Sequence, residues 1–512
     1  MTDISLAAVR RIRSSGHASL GLFSLNSGIL LIVFCFLLGF IQLNAVGLLR
    51  DPDTFWHVRT GEWILDHRQI LKSDLFSYTA YGNFWLYTDW LSDVIYATVF
   101  RVGGFPAVVL VTSICCAGML TIVAGYLLSH IRFSAAIGWT VLTLVAVFTH
   151  LLARPHIFSY VILPIWLIVL IDSYESNNFG WRRLGQLILL IVLWSNLHGS
   201  FTLGLAFLYV FAGISFLNDF LSRHWQDCAR KVTVVLLTSF ASLLNPFGFQ
   251  AAFATFEALH RTSTVSRIFD SMAPNFHEDQ IHLVLFLALF AVILGIGTRL
   301  RGPNLITFLA ITAMGLSYAR GLIMFFLLSP ILLAKPIAEA SQYLRTRFLD
   351  PKNIVDAADP VLRFLDAHMT KLASLFVIIA ISTTTSLFFR SNLQPPGDIA
   401  PRAALDFIRR ENITGNVFND YNFGGFLIAA HIPTFVDGRV FPFDDSFTDE
   451  YFKALSGTDP EKSFELLDRY KVEWALLLPD KVLTKALAHN AGWKQVYSDE
   501  YAVVIVRNTE AK

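Results

Sequence analysis

The sequence has 512 residues, of which 54% are hydrophobic and only 15% are charged, and its mean hydropathy is +0.54. A soluble chain of this length carries more charge, so the composition predicts a polytopic α-helical membrane protein. A net charge of +1 without any basic stripe argues against a nucleic-acid-binding protein. The four cysteines form no CxxC pair, which argues against a disulfide framework or a zinc site.

Apolar segments that approach the length of a membrane span recur along the first 389 residues. A spanning helix needs about 20 apolar residues. About eleven candidate segments are found, at 27–49, 105–128, 134–152, 156–171, 184–197, 200–217, 231–249, 281–298, 304–318, 320–334 and 371–388. The basic N-terminal stretch lacks a cleavage site of small residues, which favours an uncleaved first helix. Lys and Arg cluster at every second loop, starting with Arg10, Arg11 and Arg13, so we expect a cytoplasmic N-terminus and an extracytoplasmic tail.

The chain changes character after residue 389. Residues 1–389 are predicted to form the transmembrane domain, whose first external loop, residues 50–89, contains interfacial helices. Residues 390–512 alternate short apolar runs with helical stretches, which is typical of a small α/β domain, here periplasmic or extracellular. Its predicted strands are "NVFND", "TFVDG", "VEWALLLP" and "YAVVIVR", and its predicted helices lie near 461–470 and 481–489.

Polar residues are concentrated in the turns assigned to the external face. They follow the first span or lie at later outer turns, and they are Asp51, Asp53, His57, Arg59, Glu62, Arg154, His156, Asn196, His198, Asn245 and Arg320. Polar groups near hydrocarbon are costly, so they tend to pair, face a cavity or bind a substrate. We therefore expect them to meet in one pocket at the outer border of the bilayer. Taken singly, each also has a structural interpretation, since arginines anchor at interfaces and asparagines cap helices.

The stretch "DPDTFWHVRTGEWI" combines two acids with an amphipathic helix predicted over residues 54–66. Such a helix would lie where lipid head groups meet water. Asp51 or Asp53 could act there as a general base on an acceptor hydroxyl, or the two could hold Mg²⁺ or Mn²⁺ together with His57. The pattern leaves metal use open. Acids around Pro52 also fit the start of a helix.

The tail contains a second polar segment, "VFNDYNFGGFLIAAHIPTFVDGRVFPFDD". Its candidate binding residues surround two adjacent glycines and are Asn419, Asp420, Tyr421, Asp437 and Arg439. A glycine pair at a strand-to-helix turn lets a ligand approach the backbone, and a helix N-terminus favours an anion. We expect this segment to face the membrane domain and to help hold an acceptor, although turn chemistry alone also explains Asp437 and Gly438.

The first 130 residues and the overall layout resemble the GT-C superfamily of integral-membrane glycosyltransferases, especially its aminoarabinose and mannosyl branches. In those branches the first external loop opens with an Asp-Glu pair and an aromatic residue, and "DPDTFW" is similar. A short motif later in the family loop precedes an apolar helix, and "WLYTDWLSDVIYATVFRVGGF" places Asp89 and Trp90 there. The chain departs from the pattern because Pro52 separates its acids and no proline follows Asp89. The chain also resembles a group of bacterial membrane proteins loosely related to these enzymes, in the motifs "RPH", "NLHGSF", "NPFG", "NDYNFGGFL" and "FVDGR". This resemblance implies a place in the bacterial inner membrane.

The resemblance implies an inverting glycosyltransferase that moves a sugar from a polyprenyl-phosphate-linked donor to an extracytoplasmic glycan, lipid or protein. Asp51 or Asp53 would be the base, and the other polar residues named above, with Asp89 and Trp90, would bind substrate. Two alternatives remain. A lipid or glycan transporter or flippase predicts charged or broken segments at mid-membrane, and a non-catalytic envelope assembly factor predicts full activity without the two acids.

Overall fold

The computed structural model of the chain describes residues 18–253, 273–278, 280–348, 360–390, 393–439 and 441–508. Before residue 390 these residues form α1 (Ala18–Leu43), α2 (Ala45–Leu48), α3 (Asp53–His67), α4 (Trp90–Leu128), α5 (Phe133–Val147), α6 (His156–Glu175), α7 (Trp181–Leu197), α8 (Phe201–Leu221), α9 (Trp225–Ala241), α10 (Gln280–Ile296), α11 (Pro303–Ser317), α12 (Ala319–Phe348) and α13 (Pro360–Phe389). Every predicted apolar segment overlaps one of these helices.

Six of the described helices are long and apolar enough to cross a membrane. They are α4, α5 with its 3₁₀ extension to His150, α6, α8, α12 and α13. Three others, α1, α10 and α11, contain shorter apolar stretches. The membrane class is therefore confirmed, whereas a count of eleven spans stays a prediction. The basic residues Arg10, Arg11 and Arg13, on which the predicted orientation depends, lie outside the described residues.

The longest helix, α4, contains a break that separates two packing roles. Gly103 and Gly104 leave the helical conformation, and Gly104 has φ +60°, which a side chain would disfavour. The part before the break contacts α3, since Asp93 bonds His57 and Arg101 bonds Asp66, and the apolar part after it contacts α1, where Gly125 faces Leu30. The glycine pair therefore lets one helix join the first loop to the bundle.

Helix α3 has the predicted position in the chain. Its apolar residues Phe55, Val58 and Ile64 are buried, and the helix packs against α4 and the C-terminal part of the chain. Protein therefore covers part of its apolar face, while its expected place at the membrane interface stays a prediction. Helix α3 ends at Arg68, which adopts the left-handed conformation at φ 54°.

Residues 393–508, called the C-terminal unit below, form a small α/β fold. Its helices are α14 (Arg402–Arg410), α15 (Gly424–Ala429), α16 (Asp445–Ser456), α17 (Pro460–Arg469) and α18 (Val482–Ala488), and its strands are β1 (Asn416–Asn419), β2 (Val472–Leu477), β3 (Trp493–Ser498) and β4 (Val503–Arg507). The sheet order is β1-β2-β4-β3, with β1 and β2 parallel and the other pairs antiparallel. Three predicted strands and both predicted helices are confirmed, and β3 was not predicted.

The predicted strand "TFVDG" is wrong, and a side chain explains why. The Asn419 amide takes the place of a neighbouring strand: its Oδ1 accepts the Phe435 N–H at 2.9 Å and its Nδ2 donates to the Val436 carbonyl at 2.8 Å. Thr434 forms only an isolated bridge, with Ser77 of the first loop. The segment is thus anchored between the sheet and the loop.

The first loop, residues 50–89, and the C-terminal unit pack directly on each other. The Tyr78 N–H donates to the Thr434 carbonyl at 3.1 Å, and the Thr434 N–H donates to the Phe76 carbonyl at 3.0 Å. Aromatic packing of Phe55 on Phe426, with ring centroids 5.5 Å apart, extends the contact to α3. These contacts place the glycine-rich segment of the tail beside the acids that precede α3.

Candidate functional site

The two acids after the first helix are held together by one arginine. Arg154, in the turn before α6, lies 3.0 Å from Asp51 Oδ2 through Nη1 and 2.6 Å from Asp53 Oδ2 through Nη2. Both carboxylates are buried, while 17% of the Arg154 side chain is exposed. We call these three residues the acid–arginine cluster. A guanidinium that bridges two carboxylates compensates the repulsion between them and fixes their orientation.

The two acids differ in what else they contact. Asp51 Oδ1 accepts the backbone N–H of Asp53 at 2.8 Å, so this carboxylate also caps the start of α3. Asp53 Oδ1 accepts no conventional hydrogen bond from the described residues and faces Gly438. Asp51 therefore has a structural role, whereas Asp53 keeps one oxygen able to accept a proton.

Tyr421 brings the C-terminal unit to the same place. Burial raises the pKa of its phenol above the ordinary value, and Asp53 and Asp437 raise it further. Arg154 and Arg320 act in the opposite direction. Groups from α3, α12, the turn before α6 and the C-terminal unit thus lie within electrostatic range of one hydroxyl, which stays protonated and can donate a hydrogen bond.

His57 is fully enclosed and bonded to an acid of α4. Its Nδ1 lies 2.7 Å from Asp93 Oδ1, and the Tyr87 hydroxyl donates to Asp93 Oδ2. Burial lowers the pKa of His57, and the charges of Arg154 and His198 lower it further. His57 is therefore a neutral imidazole whose orientation is set by Asp93.

His198 lies in the turn between α7 and α8, with Nδ1 2.8 Å from Ser200 Oγ. Burial lowers its pKa; Asp89 opposes this shift, while Arg320 and Arg154 reinforce it. His198 is thus a neutral, partly buried group positioned between an acid and two arginines.

His156, the first residue of α6, packs edge-on against Tyr160 with ring centroids 5.1 Å apart. Arg154, Arg320 and His198 all lie within electrostatic range of its ring. The structure therefore brings together residues that the sequence placed at four separate turns.

Other predicted site residues are engaged in structural contacts. Asn196 Oδ1 accepts from Trp90 Nε1 at 2.9 Å, and Asn196 Nδ2 donates to the Leu244 carbonyl at 2.8 Å. Asn245 Oδ1 accepts the Phe247 N–H at 2.9 Å within its own turn. Asn196 thus joins the end of α7 to Trp90 and to the segment at Leu244, whereas Asn245 stabilises its own turn.

Arg59 and Glu62 point away from the acid–arginine cluster. They form an ion pair of 3.3 Å with each other, and Arg59 Nη2 lies 3.2 Å from His431 Nδ1. At 100° per residue, they lie on the opposite side of α3 from Asp53 and His57. Their contact joins α3 to the C-terminal unit at a distance from the cluster.

Arg439 is fully enclosed between the first loop and the C-terminal unit. Its Nε and Nη2 each lie 2.7 Å from an oxygen of Asp437, and its Nη1 lies 2.6 Å from Asp74 Oδ1. The guanidinium also stacks over Phe76 and Trp85, 5.1 and 4.8 Å from the ring centroids. These side chains have no exposed surface, so Arg439 and Asp437 act here as a clamp between the two parts of the chain.

Asn419 is likewise buried, as the partner of Phe435 and Val436 described above. Asp420 is different, because its Oδ1 accepts the Asn422 N–H at 3.1 Å while its buried Oδ2 has no partner among the described residues. Burial raises the pKa of Asp420. It follows β1 at the carboxyl end of the parallel strand pair, where ligands bind in open α/β sheets.

The acid–arginine cluster does not offer a metal site in this arrangement. Arg154 occupies one oxygen of Asp51 and one of Asp53, and His57 Nδ1 is engaged by Asp93. A divalent cation would have to displace the guanidinium. Among the described residues, one set of three acidic or histidine side chains has its ligand atoms within 4.8 Å of one another. It consists of Asp219, His224 and Asp227, which are not part of the acid–arginine cluster.

Four residues of the site were not singled out by sequence reasoning: Tyr87, Asp93, Asp74 and Gly438. Asp93 carries a readable signal, because an acid within an apolar helical stretch is costly unless it has a partner. Gly438 carries no such signal in the sequence, because its role depends on which side chain of another segment lies against it in the fold.

Comparison with known proteins gives fold-level matches only. No protein-family profile and no curated protein sequence matches the chain. Among solved structures, the oligosaccharyltransferase AglB of Archaeoglobus fulgidus, in complex with an inhibitory peptide and a dolichol-phosphate, matches with a TM-score of 0.53 at 12% identity over 94% of this chain and 74% of that one. The apo form of the Archaeoglobus fulgidus oligosaccharyltransferase gives a TM-score of 0.50 at 12% identity, over 89% and 69% of the two chains. ArnT of Cupriavidus metallidurans bound to undecaprenyl phosphate gives 0.49 at 14% identity, over 96% and 99%.

At these identities the likeness concerns the fold. AglB belongs to the GT-C superfamily, and its match extends over the membrane helices and the C-terminal unit alike. Together with the six long apolar helices, it shows that the chain is an integral membrane protein with the GT-C fold that the sequence resemblance predicted.

Proposed function

We propose that this protein is a glycosyltransferase that moves a sugar from a polyprenyl-phosphate-linked donor to an extracytoplasmic glycan, lipid or protein acceptor. The observation that carries the proposal is the acid–arginine cluster. Two buried acids share one arginine, and one oxygen of Asp53 has no conventional donor among the described residues, within electrostatic range of Tyr421. The GT-C fold supports it, since AglB is an oligosaccharyltransferase solved with a dolichol-phosphate.

The distribution of bonds assigns different roles to the two acids. In the proposed reaction, Asp53 Oδ1 removes the proton of the acceptor hydroxyl as that oxygen forms its bond to the anomeric carbon. The bond from the anomeric carbon to the phosphate oxygen breaks, and the electron pair leaves with the lipid phosphate, which inverts the anomeric configuration. Asp51 keeps Arg154 and the start of α3 in place. Asp53 is therefore the proposed base.

The leaving phosphate needs compensating positive charge and hydrogen-bond donors. Arg320 lies within electrostatic range of His156, His198 and Tyr421. A cation surrounded by neutral donors suits a phosphate that gains charge as the sugar departs, because the donors are already oriented. We propose that Arg320 with these three residues forms the donor head-group site.

The test compares two acids of the same helix. Asp53→Asn keeps the size of the side chain and removes the proton acceptor, whereas Asp66→Asn changes an acid that is 54% exposed and pairs with Arg101 at the surface. Purified protein in liposomes would be given a panel of undecaprenyl-phosphate sugars with an envelope extract as acceptor. Release of undecaprenyl phosphate and transfer of the sugar would be followed by mass spectrometry.

We expect sugar transfer by wild type and Asp66→Asn and at least a 100-fold lower rate for Asp53→Asn, the magnitude typical of a lost general base. Movement of the donor across the bilayer without transfer would favour a flippase. Full complementation of a deletion strain by a variant lacking both Asp51 and Asp53 would favour an assembly factor.

A further inference from the structure

A glycine of the C-terminal unit, Gly438, lies directly against the candidate base. A Cβ placed on Gly438 would lie 1.8 Å from Asp53 Oδ1 and 3.1 Å from Asp53 Oδ2. The backbone at Gly438 has no positive φ, so conformational freedom is not what requires glycine here. Glycine is required because any side chain at this position would collide with the Asp53 carboxylate.

Gly438 is held in place from both sides. Asp437 and Arg439 form the clamp with Asp74, in which the side chains are fully buried. Asp437 Oδ2 also accepts the Thr434 hydroxyl at 3.0 Å. Because buried, fully bonded networks of this kind rigidify the backbone that carries them, Gly438 cannot easily retreat from Asp53.

Two more glycines bring the same segment against the start of α3. A Cβ on Gly425 would lie 2.2 Å from the Pro52 carbonyl oxygen, and a Cβ on Gly424 would lie 2.6 Å from the Asp437 Cα. The backbone of the C-terminal unit therefore lies directly against the Pro52 carbonyl and the Asp53 carboxylate.

These contacts restrict the position of the Asp53 carboxylate. Arg154 binds one oxygen, and the Cα of Gly438 lies against the other, which has no conventional donor among the described residues. A Cα–H contact is much weaker than an N–H bond, so it sets the position of the oxygen while leaving its lone pair available to a proton. A backbone N–H in that place would orient the carboxylate but compete with the acceptor hydroxyl.

We propose that Gly438 is a positioning residue for Asp53, and that the C-terminal unit thereby completes the site rather than only binding the acceptor. The inference rests on the proposed function, because it assumes that Asp53 is the base. It predicts that a single methyl group at residue 438 misplaces the base while the head-group site around Arg320 stays intact.

The experiment measures Gly438→Ala against Asp53→Asn and Gly185→Ala. Gly185 lies on α7 and has open space where a Cβ would be, so its variant controls for the added methyl group. Initial rates would be measured in liposomes with the undecaprenyl-phosphate sugar that wild type uses, and binding of undecaprenyl phosphate alone would be measured by native mass spectrometry. Rates are expressed per folded molecule, as judged by monodisperse elution.

For Gly438→Ala we expect kcat to fall about 100-fold, as expected for a reacting group displaced by about 1 Å, with KM for the donor and binding of undecaprenyl phosphate within threefold of wild type. If Asp53→Asn is inactive but Gly438→Ala keeps kcat within threefold, the positioning role is refuted and the proposed function survives. If Asp53→Asn is fully active, both fail.

A second variant covers the case in which Gly438→Ala does not fold. Asp74→Asn keeps an oxygen that can accept from Arg439 but removes one charge of the clamp. A clamp that only stabilises the fold predicts an earlier thermal transition with unchanged kcat per folded molecule. A clamp that positions Asp53 through Gly438 predicts a lower kcat as well, and unchanged kcat would overturn the proposal.

Discussion

Replacing Arg439 by methionine would show how strongly the first loop and the C-terminal unit are joined. The substitution keeps an unbranched side chain over Phe76 and Trp85 but leaves Asp74 and Asp437 as buried, uncompensated charges. Removing one partner of a buried ion pair costs about 3–5 kcal/mol. The local stability of this interface should therefore fall by that amount.

Hydrogen exchange at two amides measures this directly. The Tyr78 and Thr434 N–H groups donate across the interface, so they exchange when it opens. At about 1.36 kcal/mol per factor of ten, a loss of 3–5 kcal/mol accelerates exchange roughly 150- to 5,000-fold. Arg469→Met is the matched control, because Arg469 binds Glu450 in a half-exposed ion pair worth at most about 1 kcal/mol. Exchange at Tyr78 and Thr434 that stays within threefold of wild type in Arg439→Met would refute the clamp.

Two further predictions concern the site itself. Arg154→Lys retains the charge but cannot bridge Asp51 and Asp53 with two nitrogens, so kcat/KM should fall roughly 10- to 150-fold, the equivalent of one charged hydrogen bond. The control Arg101→Lys, at an exposed ion pair, should have the kcat/KM of wild type. A normal kcat/KM for Arg154→Lys would contradict the bridging role. His57 has a lowered pKa in the folded protein, because of burial first and the charges of Arg154 and His198 second, while Asp93 and Tyr87 enclose it on the other side. In the unfolded chain His57 binds a proton near pH 6.5, whereas in the folded protein it does not. The contribution of His57 to the free energy of unfolding is therefore constant above that pH and falls below it by up to about 1.4 kcal/mol per pH unit. Thermal transitions measured from pH 7.5 to 5.5 should drop less in His57→Gln than in wild type, and equal slopes would show that His57 does not titrate in this way.

The sequence predicted the membrane helices because their signal is local. A run of apolar residues near span length has one low-energy solution in a bilayer, whatever its neighbours do. The same holds for α3, whose residues 54–66 were predicted as a helix and occupy Asp53–His67 in the structure. The protein contacts of its apolar face could not be predicted, because an apolar helix face does not reveal whether lipid or protein will cover it.

The strand error at "TFVDG" has the same origin. Phe435 and Val436 have the composition of a strand, but the hydrogen bonds of the segment go to the Asn419 side chain and to the first loop. Local propensity cannot register a competing acceptor that lies 16 residues away in sequence. The missed strand β3, with the pattern "WKQVYS", is mostly exposed and alternates weakly, so its place depends on pairing with β4.

The chain contains two acid–arginine–acid groups, and burial separates their roles. In one, Arg439 joins Asp74 and Asp437, and the side chains have no exposed surface. Both oxygens of Asp74 are further occupied by the backbone and hydroxyl of Ser77. All four carboxylate oxygens and the three guanidinium nitrogens form bonds within the protein, which stabilises the buried charged network and leaves no carboxylate oxygen unpaired for a substrate.

In the other group, Arg154 joins Asp51 and Asp53 but remains 17% exposed, and among the described residues one oxygen of Asp53 faces Gly438 and has no conventional donor. A buried, incompletely satisfied carboxylate is costly to keep unless something binds there. The two groups have the same composition in the sequence, and both join the first loop to another part of the chain. We therefore propose that the proton transfer takes place at Asp53, and that the first group is the framework that holds Gly438 against it.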